Sequence, residues 1–419
     1  MQRQNYKKVI FRPSPGHGLR TKVKRQEFEK DKSMFASAKD LFLSKLDKLE
    51  YGRFELCMPN GQKEVFEGRN PGPAGTLALR DWRVVQNLAI NGDIGFAEDY
   101  RAGLWDSENL QDLLSLALVN EHAVDKLIFG SLPARMISRF VNLLSRNTRS
   151  GSRRNVSAHY DLGNDFYALW LDKTMTYSSA LFEKSDSTLE NAQNAKYDRL
   201  LSRMERDHGS ILEIGCGWGG FASRALEKGD FAVKGITLSE RQKLYAENRL
   251  GGQANIALED YRDQYGQYDN IVSIEMFEAV GEEYWKTYFS KVGGLLKGHG
   301  RAFIQTITIA DNRFERYRQS GDFIRKHVFP GGMLPSPSVF ENRAAGAGLR
   351  VNDKFLFGRD YARTLEIWLK NFDSCRAEIL ALGYNDSFIR MWRFYLAACI
   401  AGFRSGRTDV MQVELQHAP

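Results

Sequence analysis

The sequence predicts an α/β protein: a doubly wound, largely parallel sheet, preceded by a smaller α+β unit. Three observations predict it. Apolar runs at 210–214, 232–237, 270–274 and 301–309 alternate with helical stretches, the pattern of parallel strands joined by crossover helices. The run at 211–214 (ILEI) ends on three glycines, Gly215, Gly217 and Gly219, with Gly220 beside the last. It passes directly into the helical pattern FASRALEK, as a buried strand, tight turn and helix start would. The chain has 419 residues, too many for one ordinary core, so two domains are expected.

The elements follow in order. Residues 1–33 are polar and basic, with Lys7, Lys8, Arg12, Arg20, Lys22, Lys24 and Arg25 on an arm that is either a solvated tail or attracted to lipid. Residues 34–130 form the first unit. Its strand-like pieces FELCMP, EVFEG and GTLALR are split by turn signals at Asn60-Gly61 and Pro71-Gly72-Pro73, and helices are expected at 81–91 and 107–119. Residues 131–155 form a connector. Met136, Ile137, Phe140, Val141 and Leu144 share one helical side, with Arg135, Arg139 and Arg146 off it. Such a helix either lies on a membrane or docks on its own domain. Residues 156–419 carry the larger sheet; 361–403 is helical and aromatic-rich, and a last strand near 409–415 is expected to close the sheet.

Composition narrows the partners. Lys and Arg outnumber Asp and Glu, 59 to 52, for a net charge of +7, which suits nucleic acid or anionic lipid headgroups. No base-flipping motif of the N/D-P-P-Y type is present, so nucleic acid is not the expected partner. Cys57, Cys216, Cys375 and Cys399 have neither metal-ligand spacing nor the look of a disulfide framework, which fits a reducing cytosol and no metal site. The N-terminus lacks the apolar core of a signal peptide. The longest apolar stretches, such as 394–403, are about half the roughly 20 residues a span needs. A cytoplasmic protein, bound peripherally to the inner face of the membrane, is the expected localisation.

The glycine spacing is G-x-G-x-G, not the dinucleotide spacing G-x-G-x-x-G. It resembles the first motif of S-adenosylmethionine (SAM) methyltransferases. Glycines let a ligand lie on the backbone, and the amides of the following helix suit the methionine carboxylate. The second strand ends at Thr237 and Leu238, with no acid where many methyltransferases hold the ribose; Gln242 offers hydrogen bonds instead. Asp260, Tyr261 and Arg262 follow the third strand, where a loop borders adenine.

Three further segments, HYDLGNDFYALWLDKTMTYSSALF (159–182) before the glycine loop and SIEMFEAVG (273–281) and FPGGMLPS (329–336) after it, appear in order along the chain. Together the four strongly resemble cyclopropane-fatty-acid synthases, over roughly 35–415 and most densely over 156–340. The resemblance implies a Rossmann-like SAM-dependent methyltransferase domain behind an N-terminal lipid-engaging domain, and a homodimer. Its substrate would be unsaturated phospholipid acyl chains at a membrane surface. It implies that Tyr177, Ser178, Gly215, Gly217 and Gly219 contact SAM, that Thr237, Leu238 and Gln242 hold its ribose and methionine portions, and that Tyr261 and Arg262 lie near adenine. Glu278 and Tyr361 match two residues that hold a bicarbonate ion thought to act as general base in the family. Ser179 and Gln305 stand where the family usually has Cys and many members have His, and Ala279 where FEH-type members have His.

The chemistry explains why the base matters. An alkene is a weak nucleophile, so alignment with the sulfonium methyl supplies much of the rate. Transfer leaves a cation on the acyl chain, which needs an apolar, aromatic-lined pocket and then a base. Proton loss from the new methyl closes a cyclopropane; loss from a neighbouring carbon gives a methylene or methyl-branched product. Glu275, one helical turn before Glu278 if that stretch is helical, is either a substitute base or a surface or capping acid. His159 reads as a brace rather than a proton carrier, and Cys216 as filler. Two other readings remain: a SAM methyltransferase for a small soluble acceptor, and a catalytically silent lipid-binding subunit. The first is opposed by the extra N-terminal domain, the second by the retained glycines, Glu278 and Tyr361.

Overall fold

The computed structural model describes residues 39–122 and 162–419. The basic arm 1–33, the connector 131–155 and His159 lie outside them. A short helix α1 (39–46) opens the first unit. Strands β1 (Tyr51–Cys57), β2 (Lys63–Glu67) and β3 (Asn70–Leu79) follow, then helix α2 (Arg83–Arg101), strand β4 (Trp105–Asp106) and helix α3 (Leu110–Val119). The small sheet has the order β2-β1-β3-β4. Helix α2 runs past the expected 81–91 because Gly92, at φ 64° and ψ −145°, bends it without ending it. Helix α3 starts three residues later than 107 because the Asn109 side chain accepts the Asp112 N–H as an N-cap.

The second domain begins with α4 (Asn164–Ala168) and α5 (Leu189–Ser202). It continues as β5 (His208–Ile214), α6 (Gly220–Lys228), β6 (Asp230–Thr237), α7 (Glu240–Leu250), β7 (Asn255–Leu258) and β8 (Tyr268–Ile274). Then come α8 (Trp285–Leu295), β9 (Leu296–Ile309), α9 (Asp311–Gln319), α10 (Phe323–His327), α11 (Pro337–Ala345) and β10 (Leu349–Leu356). Helices α12 (Gly358–Ser374), α13 (Arg376–Ala381) and α14 (Asp386–Arg404) and strand β11 (Thr408–His417) finish the chain.

The large sheet has the order β10-β11-β9-β8-β5-β6-β7. Strands β5 to β9 run parallel; β11 is antiparallel to β9 and β10 to β11. The last strand therefore does not close the sheet as expected. It inserts between β9 and β10, and β10 takes the edge. The buried run of β11 belongs in an interior position, whereas β10 after its buried Leu349 alternates exposed and half-buried residues, as an edge strand does.

Helices cover both faces, so neighbouring strand residues are buried on opposite sides. Leu212 and Ile214 of β5 pack with Ile271, Ile304, Trp285 and Phe289 on one face. Ile211 packs with Val233, Val272, Phe221 and Ala225 on the other. Ile211, Leu212 and Ile214 are at most 2% exposed, worth about 1.5–3 kcal/mol each. β5, first in sequence within this sheet, lies between β6 and β8, so the topological switch point falls at its carboxyl end.

Candidate active site

A cavity opens at the carboxyl ends of β5, β6 and β8. The glycine loop forms its floor. Gly215, at φ 84°, leaves no space for a Cβ, which would lie 2.9 Å from Met276 Cβ. Gly217, at φ 53°, faces open space in which a side chain would fill the cavity. The N-cap Gly219 brings no side chain to the first amides of α6, of which Ala222 N–H meets Glu213; a helix start of this kind suits an anion. Trp218 Nε1 donates to Asn164 Oδ1 at 2.8 Å, tying the loop to α4.

Among the residues expected to bind the donor, Tyr177, Ser178, Gly215, Gly217, Thr237, Leu238, Gln242, Tyr261 and Arg262 line this cavity. Gly219 does not; it is the left-handed N-cap of α6, and a Cβ there would lie 3.2 Å from Ala246 Cβ. Thr237 Oγ1 donates to Gln242 Oε1 at 2.8 Å, which fixes the amide at the end of β6. Arg262 donates from Nε and Nη2 to the two oxygens of Asp260 at 2.9 and 2.6 Å. These glycines, the uncapped helix, the fixed amide and the buried Asp260 fit SAM.

The expected base residues divide. Ser179, Gln305 and Tyr361 converge on Glu275, not on Glu278. Glu275 Oε1 accepts the Ser179 N–H at 2.8 Å and the Gln305 amide at 2.7 Å. Oε2 accepts the Tyr361 hydroxyl at 2.5 Å. Glu275 lines the donor cavity, at φ 49°. Burial raises its pKa, opposed by Lys196, Tyr361, Ser179 and Gln305. These donors are already engaged by a resident carboxylate, so the set does not fit a free bicarbonate ion.

Glu278 sits in the short turn Phe277–Ala279, where Oε1 accepts the Ile307 N–H and its backbone carbonyl accepts from Met333 at 2.9 Å. Burial, then the Glu275 charge, push its pKa up to about 8. Ala279 lines the cavity.

Three functional candidates escaped the sequence reading. Glu213 at the end of β5 lines the cavity, and burial pushes it up to about 8. Glu259 lines the cavity beside Asp260 and pairs with Lys234 at 2.7 Å. Lys196 of α5 is fully buried, and its Nζ donates to Ser178 Oγ at 2.6 Å. Burial pulls Lys196 down to about 7 against the charge of Glu275. An acid closing the first strand was a visible signal for Glu213. A lysine on a polar helix gave none for Lys196.

Aromatic side chains stand beside Glu275. Tyr361 packs on Phe403, with ring centroids 4.5 Å apart, and near Trp368. Tyr177 lies 5.3 Å from Trp368, and its hydroxyl meets that of Tyr395 at 2.8 Å. Among the described residues no helix is long and apolar enough to cross a membrane, and no acid, His and Cys cluster could hold a metal.

The chain is similar to known proteins. The family model for mycolic acid cyclopropane synthetase matches residues 147–413. A tuberculostearic acid methyltransferase of Mycobacterium tuberculosis is 39% identical over 345 residues, 78% of this chain and 80% of that one. The cyclopropane-fatty-acyl-phospholipid synthase of Escherichia coli K12 is 34% identical over 331 residues, 77% of this chain and 82% of that one. A crystal structure of a mycolic acid cyclopropane synthase complexed with S-adenosylhomocysteine (SAH) and CTAB superposes with a TM-score of 0.59 at 33% identity, over 63% of this chain and 98% of that one. With its donor cavity at the switch point and this match over most of its length, the chain belongs to the mycolic acid cyclopropane synthetase family of SAM-dependent methyltransferases.

Proposed function

We propose that this enzyme transfers the methyl carbon of SAM to a cis double bond in an unsaturated phospholipid acyl chain. One observation carries the reading: a carboxylate, Glu275, stands with Tyr177 in the wall of the donor cavity and accepts from Tyr361, and behind these two tyrosines pack Trp368 and Tyr395. When bound, SAM supplies an electrophilic methyl carbon. The glycine loop and the first turn of α6 bind and orient it; Gln242, Asp260 and Arg262 position its nucleoside end. The aromatic side chains exclude water from the carbocation on the acyl chain and face it with π density. A base in the wall then takes a proton. The E. coli relative's name, a cyclopropane-fatty-acyl-phospholipid synthase, supports phospholipid as the acceptor and ring closure as the default product.

A second product, a methylene or methyl-branched chain, is favoured by one specific observation. The tuberculostearic acid methyltransferase is a match of 39% identity, and the base donors here are gathered on Glu275. A small soluble acceptor is disfavoured by the aromatic wall. The arm 1–33, the connector 131–155 and the N-terminal unit are assigned to the lipid surface at the inner face of the membrane, with a homodimer as the working assembly.

The test uses the full chain, SAM and vesicles of cis-monounsaturated phosphatidylglycerol. SAH should accumulate with the lipid, and mass spectrometry should find the acyl chain heavier by one CH2 unit. Turnover of soluble amines or phenols in place of lipid would refute the reading.

A further inference from the structure

We infer that the side-chain carboxylate of Glu275 is itself the general base of the reaction, oriented by a hydrogen-bond relay through Gln305, Gln412 and Arg199, so that no bicarbonate ion is needed. This rests on the acyl-chain reading above.

The relay has one possible polarity. Arg199 only donates, and its Nη1 gives a hydrogen bond to Gln412 Oε1 at 2.9 Å. The Gln412 amide nitrogen must then face inward. It donates to Gln305 Oε1 at 3.0 Å and to the Lys196 carbonyl at 3.2 Å. Gln305 is left with its amide nitrogen toward Glu275, 2.7 Å away. Gln305 and Gln412 are a cross-strand pair of β9 and β11, at most 1% exposed, so neither amide can turn to water. The end of the chain therefore presents a donor, and only an acceptor satisfies it. The Ser179 N–H and Tyr361 hydroxyl are donors as well. Three donors aimed at one point favour the ionised carboxylate, against the burial that raises its pKa.

The backbone places this group deliberately. Glu275 adopts a left-handed φ of 49° as the chain leaves β8, a conformation that a non-glycine residue rarely holds without a compensating interaction. Its own N–H donates to the Gln305 carbonyl at 2.8 Å. The main chain and side chain of one residue are thus both tied to Gln305, with the carboxylate turned into the cavity.

The step balances. The alkene π pair forms the new carbon–carbon bond as the methyl–sulfur pair leaves with sulfur, giving SAH and a carbocation on the neighbouring carbon of the acyl chain. Glu275 takes a proton from the new methyl, and the released C–H pair closes the ring. If a 1,2-hydride shift first moves the cation onto the methyl-bearing carbon, loss of a proton from the same methyl to Glu275 gives the methylene product instead. Either way Glu275 becomes a neutral acid, and the proton is lost to solvent before the next turnover.

The test compares the full-length wild type with Glu275→Gly and Glu275→Gln, after confirming by circular dichroism and SAM titration that each folds and binds the donor. In carbonate-depleted buffer the wild type should turn over lipid at an unchanged rate. Both variants should fall by about 100-fold or more. Added bicarbonate or formate should restore Glu275→Gly, where the vacated donors accept a small anion, and not Glu275→Gln, where the amide fills the space. Labelled 13C-bicarbonate should broaden in NMR with Glu275→Gly and not with the wild type. Gln412→Met should lower kcat several-fold with SAM affinity unchanged. A wild type that binds labelled bicarbonate and loses activity without it overturns the inference, as does full activity in Glu275→Gln. Absence of lipid turnover by the wild type would instead refute the acyl-chain reading, and the labelled-bicarbonate comparison would still decide whether Glu275 fills the anion position.

Discussion

Glu275 and Glu278 are three residues apart and do different things. Glu275 meets three donors at the cavity wall; Glu278 turns onto the backbone of β9. Glu213 is a third buried acid, and the one whose titration is simplest to isolate. Its ordinary pKa of 4.5 is raised to about 8, because burial disfavours the ionised form. The sign follows directly. The fold binds that proton more tightly than the unfolded chain does. The stabilisation is complete below the unfolded value and is lost as pH rises through the folded one. Glu278 and Asp93 are raised in the same direction, so the ligand-free protein should lose stability between about pH 5 and pH 8.5. Glu213→Gln should lose about 4 kcal/mol less over that window in denaturant titrations. An identical pH slope in the variant would show that Glu213 stays ionised. Bound SAM, being cationic, should also flatten the slope. The type and position of Glu213 were visible in the sequence, but its protonation was not, because desolvation depends on what packs above it.

At the level of elements, helix α14 joins the domains. Arg390 donates to the backbone carbonyls of Tyr100 and Trp105 at 2.5 and 2.6 Å and to Asp106 at 3.1 Å, and its guanidinium lies 3.9 Å from the centre of the Tyr100 ring. Phe394, one turn on, packs against Trp105 and Phe96. Arg390→Met keeps the stem packing and strands two carbonyls, so it should lower stability by about 2–4 kcal/mol. Separate unfolding of the two units in calorimetry would accompany that loss; an unchanged single transition would show that the apolar contacts suffice. The strands and helices of both units were readable from periodicity, and the glycine loop from spacing. The place of β11 was not. Its composition announced a buried strand, but only pairing with β9 and β10 determined that it sits inside the edge and sets Gln412 opposite Gln305.

For the whole molecule, the net charge of +7 predicts attraction to anionic lipid. Vesicles rich in phosphatidylglycerol should bind it more tightly than neutral ones, by about tenfold at low salt, with the difference shrinking as the Debye length falls below about 10 Å. Equal binding to neutral vesicles at low salt would remove charge from the explanation. The sequence by itself determined the α/β class, the donor loop and, through four ordered motifs, the kind of chemistry. These are local or nearly local properties: strand period, turn residues and spacing leave marks in neighbouring residues. The tertiary structure alone decided which carboxylate the donors serve. Ser179, Glu275, Gln305, Tyr361 and Gln412 come from five separate stretches of chain, and no spacing rule records that they meet. A hydrogen bond is fixed by distance and direction between its two groups, and those exist only once sheet and helices have packed.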